Sequence, residues 1–176
     1  DSEHGRFYMS RTFSPEETNR VVMDNNKRFP EFPDRIVMSV DPYQLDKTDS
    51  GRMSDGAIVA YEKRNVLIDP DDKPVDEWQT SRFILTYRFR PETTDQFFED
   101  VIRAAVFLGA KVFPENNLDN CQRYLIQRGY EGYLLYNFDP FTGRRKNNAG
   151  FSSRGPSKAK IFNLLKDDLE RHIKRY

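Results

Sequence analysis

The amino-acid sequence predicts an α/β domain built on a mixed five-stranded sheet with helices on both faces. Two observations indicate this class of fold. Three strand-like segments follow one another without a helix between them, and helix-like and strand-like patterns alternate after them. Strands joined only by loops pair antiparallel, whereas strands joined through helices add in parallel. A single mixed sheet packed between helices accommodates both kinds of connection.

The first three strands are expected to form an antiparallel meander. Their segments lie at 35–40, 56–63 and 82–89 and are rich in β-branched and aromatic residues. The first is a continuous apolar run, typical of a central strand buried on both faces, and it ends abruptly at Asp41. Residues 1–35 are polar and interrupted by prolines, so we interpret them as a lead-in or linker to a domain at 36–176.

The second half of the chain alternates helices with strands. Apolar residues recur every three or four positions from Phe97 to Leu108, and Gly109 then provides a helix stop. The remaining predicted elements are a strand at 111–115, a helix closed by Gly129, a strand at 133–136, a basic glycine-rich loop at 139–156 and an amphipathic helix from about residue 157. This order of elements is the ribonuclease H arrangement.

Composition narrows the possible classes of protein. The 176 residues suffice for one domain with a real core, since 37% are hydrophobic and 14% aromatic. No apolar run approaches the roughly 20 residues that cross a bilayer, and the start does not resemble a secretory signal. The single cysteine, Cys121, excludes an internal disulfide and fits a reducing cytoplasm. A phosphate-loop motif for ATP and a ligand spacing for zinc are both missing.

Two acidic residues close predicted strands that are neighbours in this arrangement. Asp41 ends the first strand and Glu115 ends the fourth, so their carboxylates could reach one metal ion. Carboxylates held this close repel each other without a cation, so their pairing predicts Mg²⁺ or Mn²⁺. Two such ions, roughly 3.5–4 Å apart, would activate water and stabilise the leaving oxygen of a phosphodiester. Taken singly, each acid also fits a structural role in a turn or a helix cap.

Charge is unevenly distributed although the net charge is zero, with 28 basic and 28 acidic residues. The stretch from 144 to 160 carries bases and no acid, and we expect it to contact backbone phosphates without reading sequence. Its basic residues are Arg144, Arg145, Lys146, Arg154, Lys158 and Lys160. A solvated, mobile loop is the alternative interpretation.

Three short motifs resemble the nuclease domain of bacteriophage terminase large subunits. They are the aspartate-proline pair at Asp41, the aspartate that opens the second strand at Asp55, and the glutamate-asparagine pair at Glu115. The resemblance spans residues 35 to 176. It implies that Asp41 and Glu115 are metal ligands of a two-metal site for Mg²⁺ or Mn²⁺, and that Asp55 is a supporting ligand or an acid just behind the ligands.

One feature of that family is not matched. The family takes a further essential aspartate from a C-terminal helix in an aspartate-alanine context, which this sequence lacks. Asp168, beside the apolar stripe of the last helix, is the weaker candidate for this third ligand. We expect instead that the chain ends before the family's last acidic motif.

The resemblance implies an endonuclease that cuts double-stranded viral DNA during genome packaging. It implies the portal protein and the small terminase subunit as partners, with no membrane contact. The expected location is the cytoplasm of the infected bacterial host, and transiently the procapsid portal. Two alternatives stay open: a ribonuclease H-like resolvase or transposase core, and a non-catalytic module of the same fold that binds DNA or protein.

Overall fold

The computed structural model describes six ranges of the chain and six isolated positions of a C-terminal helix. The ranges are 5–15, 21–43, 54–63, 82–116, 119–139 and 142–152, and the helical positions are 159, 162, 163, 166, 167 and 170. The elements within them are β1 (Phe7–Met9), β2 (Val21–Asp24), β3 (Lys27–Pro30), β4 (Ile36–Asp41), β5 (Gly56–Glu62), β6 (Arg82–Phe89), α1 (Thr94–Leu108), β7 (Lys111–Pro114), α2 (Asn120–Gln127), a 3₁₀ turn (Glu131–Tyr133), β8 (Tyr136–Phe138) and β9 (Arg145–Ala149).

A mixed five-stranded sheet forms the centre of the fold, in the order β1-β6-β5-β4-β7. β4, β5 and β6 are an antiparallel meander, and β7 adds to β4 in parallel. The α/β class, the meander and the mixed sheet predicted from the sequence are therefore confirmed. Two antiparallel hairpins, β2-β3 and β8-β9, lie beside the sheet.

The sheet gains its outermost strand from a segment that we interpreted as a lead-in or linker. β1 pairs antiparallel with β6, and two arginines that flank it form ion pairs with buried acids of the domain. Arg6 Nη1 lies 3.0 Å from Asp100 Oδ2, and Arg11 Nη2 lies 2.8 Å from Glu62 Oε1. The described part of this segment is thus bonded to the sheet, while the boundary at residue 35 stays a prediction.

The strand predicted at 133–136 is wrong, and Pro114 explains why. A 3₁₀ turn takes up its first residue, and a single parallel bridge joins Leu134 to Val112. Leu135 N–H donates to the Val112 carbonyl over 2.8 Å, but the next bond of a parallel ladder needs an N–H that a proline lacks. The Leu135 carbonyl instead accepts from Gly150 N–H at 2.9 Å, so the chain turns into the β8-β9 hairpin.

Helix α1 begins and ends where its sequence signals predict. The Thr93 hydroxyl accepts from Gln96 N–H and the Gln96 side chain accepts from Thr93 N–H, which is a complete capping box. Gly109 ends the helix with a left-handed φ of 63°. Its apolar stripe packs on one face of the sheet, and the Phe97 ring lies directly over Gly56, where no Cβ would fit.

A second helix lies beside α1. The Phe98 and Tyr124 rings join α1 to α2 with centroids 5.3 Å apart, and Glu99 bonds the Tyr124 hydroxyl and Arg128. The helix predicted on the opposite face stays a prediction, because only isolated helical positions represent it. Within the described ranges, no helix is long and apolar enough to span a bilayer.

The junction between the hairpin and the sheet gives a test of this fold. Gly150 has a φ of 77°, and a Cβ there would overlap the Pro114 carbonyl, whereas Gly143 has a φ of 66° and open space around it. We expect Gly143→Ala to cost about 1–2 kcal/mol from backbone strain alone. Gly150→Ala should cost at least about 1–3 kcal/mol more, because the junction must also move. Urea unfolding of both variants measures the difference; equal costs would contradict the packing at this junction.

Candidate functional site

The face of the sheet turned away from α1 carries the candidate site, and we call it the far face. It is defined here by Ser39, Asp41, Ala57, Thr86 and Arg88. Buried and accessible residues alternate along β4, which places the first two of these residues opposite the core. Cα pairing across the strands then assigns the other three to the same face. All but the half-buried Ala57 are exposed, so the far face is open to solvent at these positions.

The structure brings Asp41 and Glu115 together, as the sequence predicts. Val40 pairs with Pro114 across the parallel β4-β7 ladder, so the next residue on each strand points to the far face side by side. Glu115 N–H also donates to the Val40 carbonyl over 2.7 Å, which holds the two strand ends in register. Their side-chain carboxyl groups hydrogen-bond to each other.

A hydrogen bond between two carboxyl groups requires a shared proton. Desolvation of the Asp41 carboxyl, its hydrogen bond with Glu115 and the negative charge of Glu115, in that order of size, raise the pKa of Asp41 to about 7. Asp41 is nevertheless exposed to solvent. We therefore give the contact with Glu115 more weight than desolvation as the cause of the raised pKa. A divalent cation could replace the proton and compensate the negative charge of the two carboxylates. Oxygen donors of this kind are the ligands that Mg²⁺ and Mn²⁺ prefer.

Glu115 is fixed on its other side by the base of the β8-β9 hairpin. Phe151 N–H donates to the Pro114 carbonyl over 3.0 Å, and Asn116 N–H donates to the Phe151 carbonyl over 2.7 Å. The Asn116 side chain also donates to the Ala149 carbonyl, and the Phe113 and Phe151 rings stack with centroids 5.4 Å apart. The backbone of Glu115 is therefore bonded on both sides, which restricts where its carboxylate can lie.

Asp55 immediately precedes β5, and it bonds to a different partner. Its Oδ2 accepts from Arg88 Nε at 3.1 Å. Within the part of the chain that the structure describes, no third acidic, histidine or cysteine side chain joins Asp41 and Glu115 to make a group of three. The predicted role of Asp55 at the metal stays a prediction. Asp168 lies outside the described residues.

The basic residues expected to contact phosphate divide into two groups. Arg144, Arg145 and Lys146 are exposed on the β8-β9 hairpin, and the Arg145 guanidinium lies over the Tyr136 ring, 4.2 Å from its centroid. The predicted loop at 139–156 is thus partly a hairpin, which its polar strand β9 did not indicate. The other three residues, Arg154, Lys158 and Lys160, lie outside the described residues.

Sequence reasoning missed Arg88, whose side chain is 83% exposed. It stands between Tyr87, which is buried against α1, and Phe89, in a strand with a bulge that shifts the alternation. The available signal was the pairing of its strand with Ala57, the residue opposite Asp41.

Comparison of the chain with protein-family models, with curated proteins and with solved structures gives no match.

The shared proton predicts how stability depends on pH. The folded chain holds this proton up to about pH 7, whereas an unfolded Asp41 releases it near its usual value of 3.8, so stability falls as pH rises between these values. Asp41→Asn removes this loss, so it should have a higher Tm than the unsubstituted chain at pH 8 and a much smaller advantage at pH 4. Differential scanning fluorimetry without divalent metal measures both.

Bound metal should offset part of the same loss. At ten times its Kd, Mn²⁺ stabilises the folded chain by about 1.4 kcal/mol, which raises Tm by roughly 3–6 °C. Asp41→Asn should lose most of this gain, and Asp95→Asn, which removes an exposed acid of α1 on the opposite face of the sheet, should keep it. A Tm that responds to neither pH nor Mn²⁺ would count against the shared proton and the metal.

Proposed function

We propose that this chain is a metal-dependent DNA endonuclease domain of the ribonuclease H type, similar to the nuclease domain of phage terminase large subunits. The observation that carries the proposal is the contact between Asp41 and Glu115 at the ends of two parallel neighbouring strands. Two carboxylates this close repel each other when both are ionised, so the pair is a poor structural element but a suitable cation site.

The order of the strands supports the same class. The ribonuclease H arrangement needs a first strand that lies between the second strand of the meander and the first strand after a helix. β4 has this position, with β5 on one side and β7 on the other. This placement sets both acids at one end of the sheet, beside the open far face.

The residues divide the proposed work among them. A bound Mg²⁺ or Mn²⁺ supplies an activated water and neutralises the charge of the phosphodiester that is cut. Asp41 and Glu115 hold the metal, and Asp55 supports the site from the position just before β5. The backbone bonds on both sides of Glu115 fix its position before substrate arrives, which avoids reorganisation during the reaction.

Double-stranded DNA is the proposed substrate, and the basic hairpin is its proposed contact. The hairpin begins at Tyr136, and the chain returns to the sheet at Phe151, beside Glu115. A duplex bound by Arg144, Arg145 and Lys146 therefore lies next to the acids. By resemblance, the portal protein and the small terminase subunit are further partners. The proposed location is the host cytoplasm and, during packaging, the procapsid portal.

A non-catalytic DNA-binding module is the second candidate. The specific observation in its favour is that Asp41 and Glu115 have no third acidic partner in the described ranges. Such a module would bind DNA through the hairpin without needing a divalent metal.

Nicking of supercoiled plasmid separates these two functions. We expect the chain to nick plasmid with Mn²⁺ and not with EDTA. Asp41→Ala and Glu115→Gln should each lower the rate at least about 100-fold, because each removes a ligand of the metal that the reaction needs.

The control for nicking is Asp95→Asn, which should leave the rate unchanged because Asp95 is exposed on α1, the helix that covers the opposite face of the sheet. If the chain binds DNA but does not nick it with any divalent metal, the nuclease proposal fails and the binding module replaces it. Preference for a branched junction over plasmid would favour a resolvase instead.

DNA affinity tests the hairpin separately. Replacing Arg144, Arg145 and Lys146 together by alanine should weaken binding to a short duplex. If all three contact phosphates, the slope of log K against log salt should fall by up to about 2.7, at 0.9 for each phosphate. Fluorescence anisotropy in EDTA at several salt concentrations measures it. Arg123→Ala, an exposed arginine of α2, is the matched control and should not change the slope.

A further inference from the structure

One row of residues crosses four adjacent strands on the far face. Asp41 pairs with Ala57, and Ala57 pairs with Arg88. On the other side of Asp41, Glu115 continues the β7 register. The row therefore reads Arg88, Ala57, Asp41, Glu115, with a cation at one end and the carboxyl pair at the other. Neighbouring strands lie about 4.8 Å apart, so the Cα atoms of Arg88 and Asp41 are roughly 10 Å apart.

Ala57 has the smallest side chain in this row. Its methyl group is the only side chain between the guanidinium-bearing strand and Asp41 in the row, and the residue is half-buried. A larger side chain at this position would stand between the charges. The open space above Ala57 has negative charge on one side and positive charge on the other, which suits an anion that reaches a metal held by the carboxylates.

Arg88 is oriented by one hydrogen bond, which leaves most of its N–H donors available. Asp55 accepts one bond from its Nε, and in the described ranges its two terminal nitrogens have no acceptor. Both partners are exposed, at 83% and 40%, so their ion pair adds little to stability. A guanidinium held through Nε presents its remaining N–H groups as a fork, the geometry that binds a phosphate in a bidentate manner.

Other arginines on the sheet and on α1 have structural partners. Arg82 lies 3.5 Å from the buried Glu62, and the Arg90 guanidinium lies over the Tyr43 ring and donates to the Ser54 carbonyl. Arg6 and Arg103 both reach the buried Asp100. Arg88 differs from them, because among the described residues it bonds only an exposed acid, and it faces the same open surface as Asp41.

We propose that Arg88 binds the phosphodiester group that reaches the Asp41-Glu115 site, and that Asp55 is a positioning residue that aims Arg88. The inference rests on the proposed nuclease function and assigns the charge that receives its substrate. The phosphate lies over Ala57, between the guanidinium and the acid pair. Asp55 then acts through Arg88 rather than as a metal ligand.

Binding of a short DNA duplex in EDTA tests Arg88 without requiring cleavage. Arg88→Ala should weaken binding about tenfold at low salt and lower the salt slope by about 0.9, the contribution of one phosphate. Arg88→Lys keeps the charge and should keep the slope while losing part of the affinity. Arg103→Ala is the matched control, because Arg103 is also exposed and paired with an acid, and it should bind like the unsubstituted chain.

The Tm gain with Mn²⁺ tests Asp55. Asp55→Asn should keep the gain of the unsubstituted chain, in contrast to Asp41→Asn. In the Asp55→Asn background, Arg88→Ala should also weaken DNA binding by a smaller factor. The reason is that an arginine without its positioning partner contributes less to the affinity. A Mn²⁺ response lost in Asp55→Asn would overturn the positioning role and assign Asp55 to the metal.

The two proposals fail in different ways. If Arg88→Ala has the Kd and slope of the unsubstituted chain while Mn²⁺-dependent nicking persists, the Arg88 assignment is overturned and the nuclease stands. If the chain never nicks plasmid but Arg88→Ala still weakens DNA binding with the lower slope, the nuclease fails and the Arg88 contact stands. A chain that does not bind duplex DNA overturns both.

Discussion

The parallel pairing of β4 with β7 is the interaction on which the rest of the structure depends. It joins the meander to the helical half of the chain, and α1 can cover the sheet only because its following strand returns to the centre. The same pairing aligns Asp41 with Glu115. A shift of one residue in this register would turn one of the two acids toward the core. The cost of burying an unpaired carboxyl therefore favours the register that builds the site.

Much of the centre could be predicted because local signals and packing agree there. The apolar run of β4, the three- and four-residue period of α1 and the left-handed Gly109 each indicate one structure only. The meeting of Asp41 and Glu115 followed from the positions at which two strands end. A site at strand ends is accessible to sequence reasoning, since topology alone decides which ends are neighbours.

The periphery could not be predicted, because its contacts are few and distant in sequence. β1 is three residues long, and its pairing and ion pairs join residues more than fifty positions apart. The pairing of β7 with the segment at Leu135 ends because Pro114 has no N–H, and a pattern of hydrophobicity does not reveal this. Arg88 required the register of three strands at once, and β-pairing register is set by the folded sheet rather than by any one segment.

The β8-β9 hairpin has two ends with unequal freedom to change. Around Gly143 the turn extends into solvent, so residues can be inserted, deleted or recharged there without disturbing the sheet. At Gly150 the backbone fits against the Pro114 carbonyl with no room for a side chain. In the course of evolution, the reach and charge of the tip could therefore be adapted to new binding partners while the carboxylate beside the base kept its position.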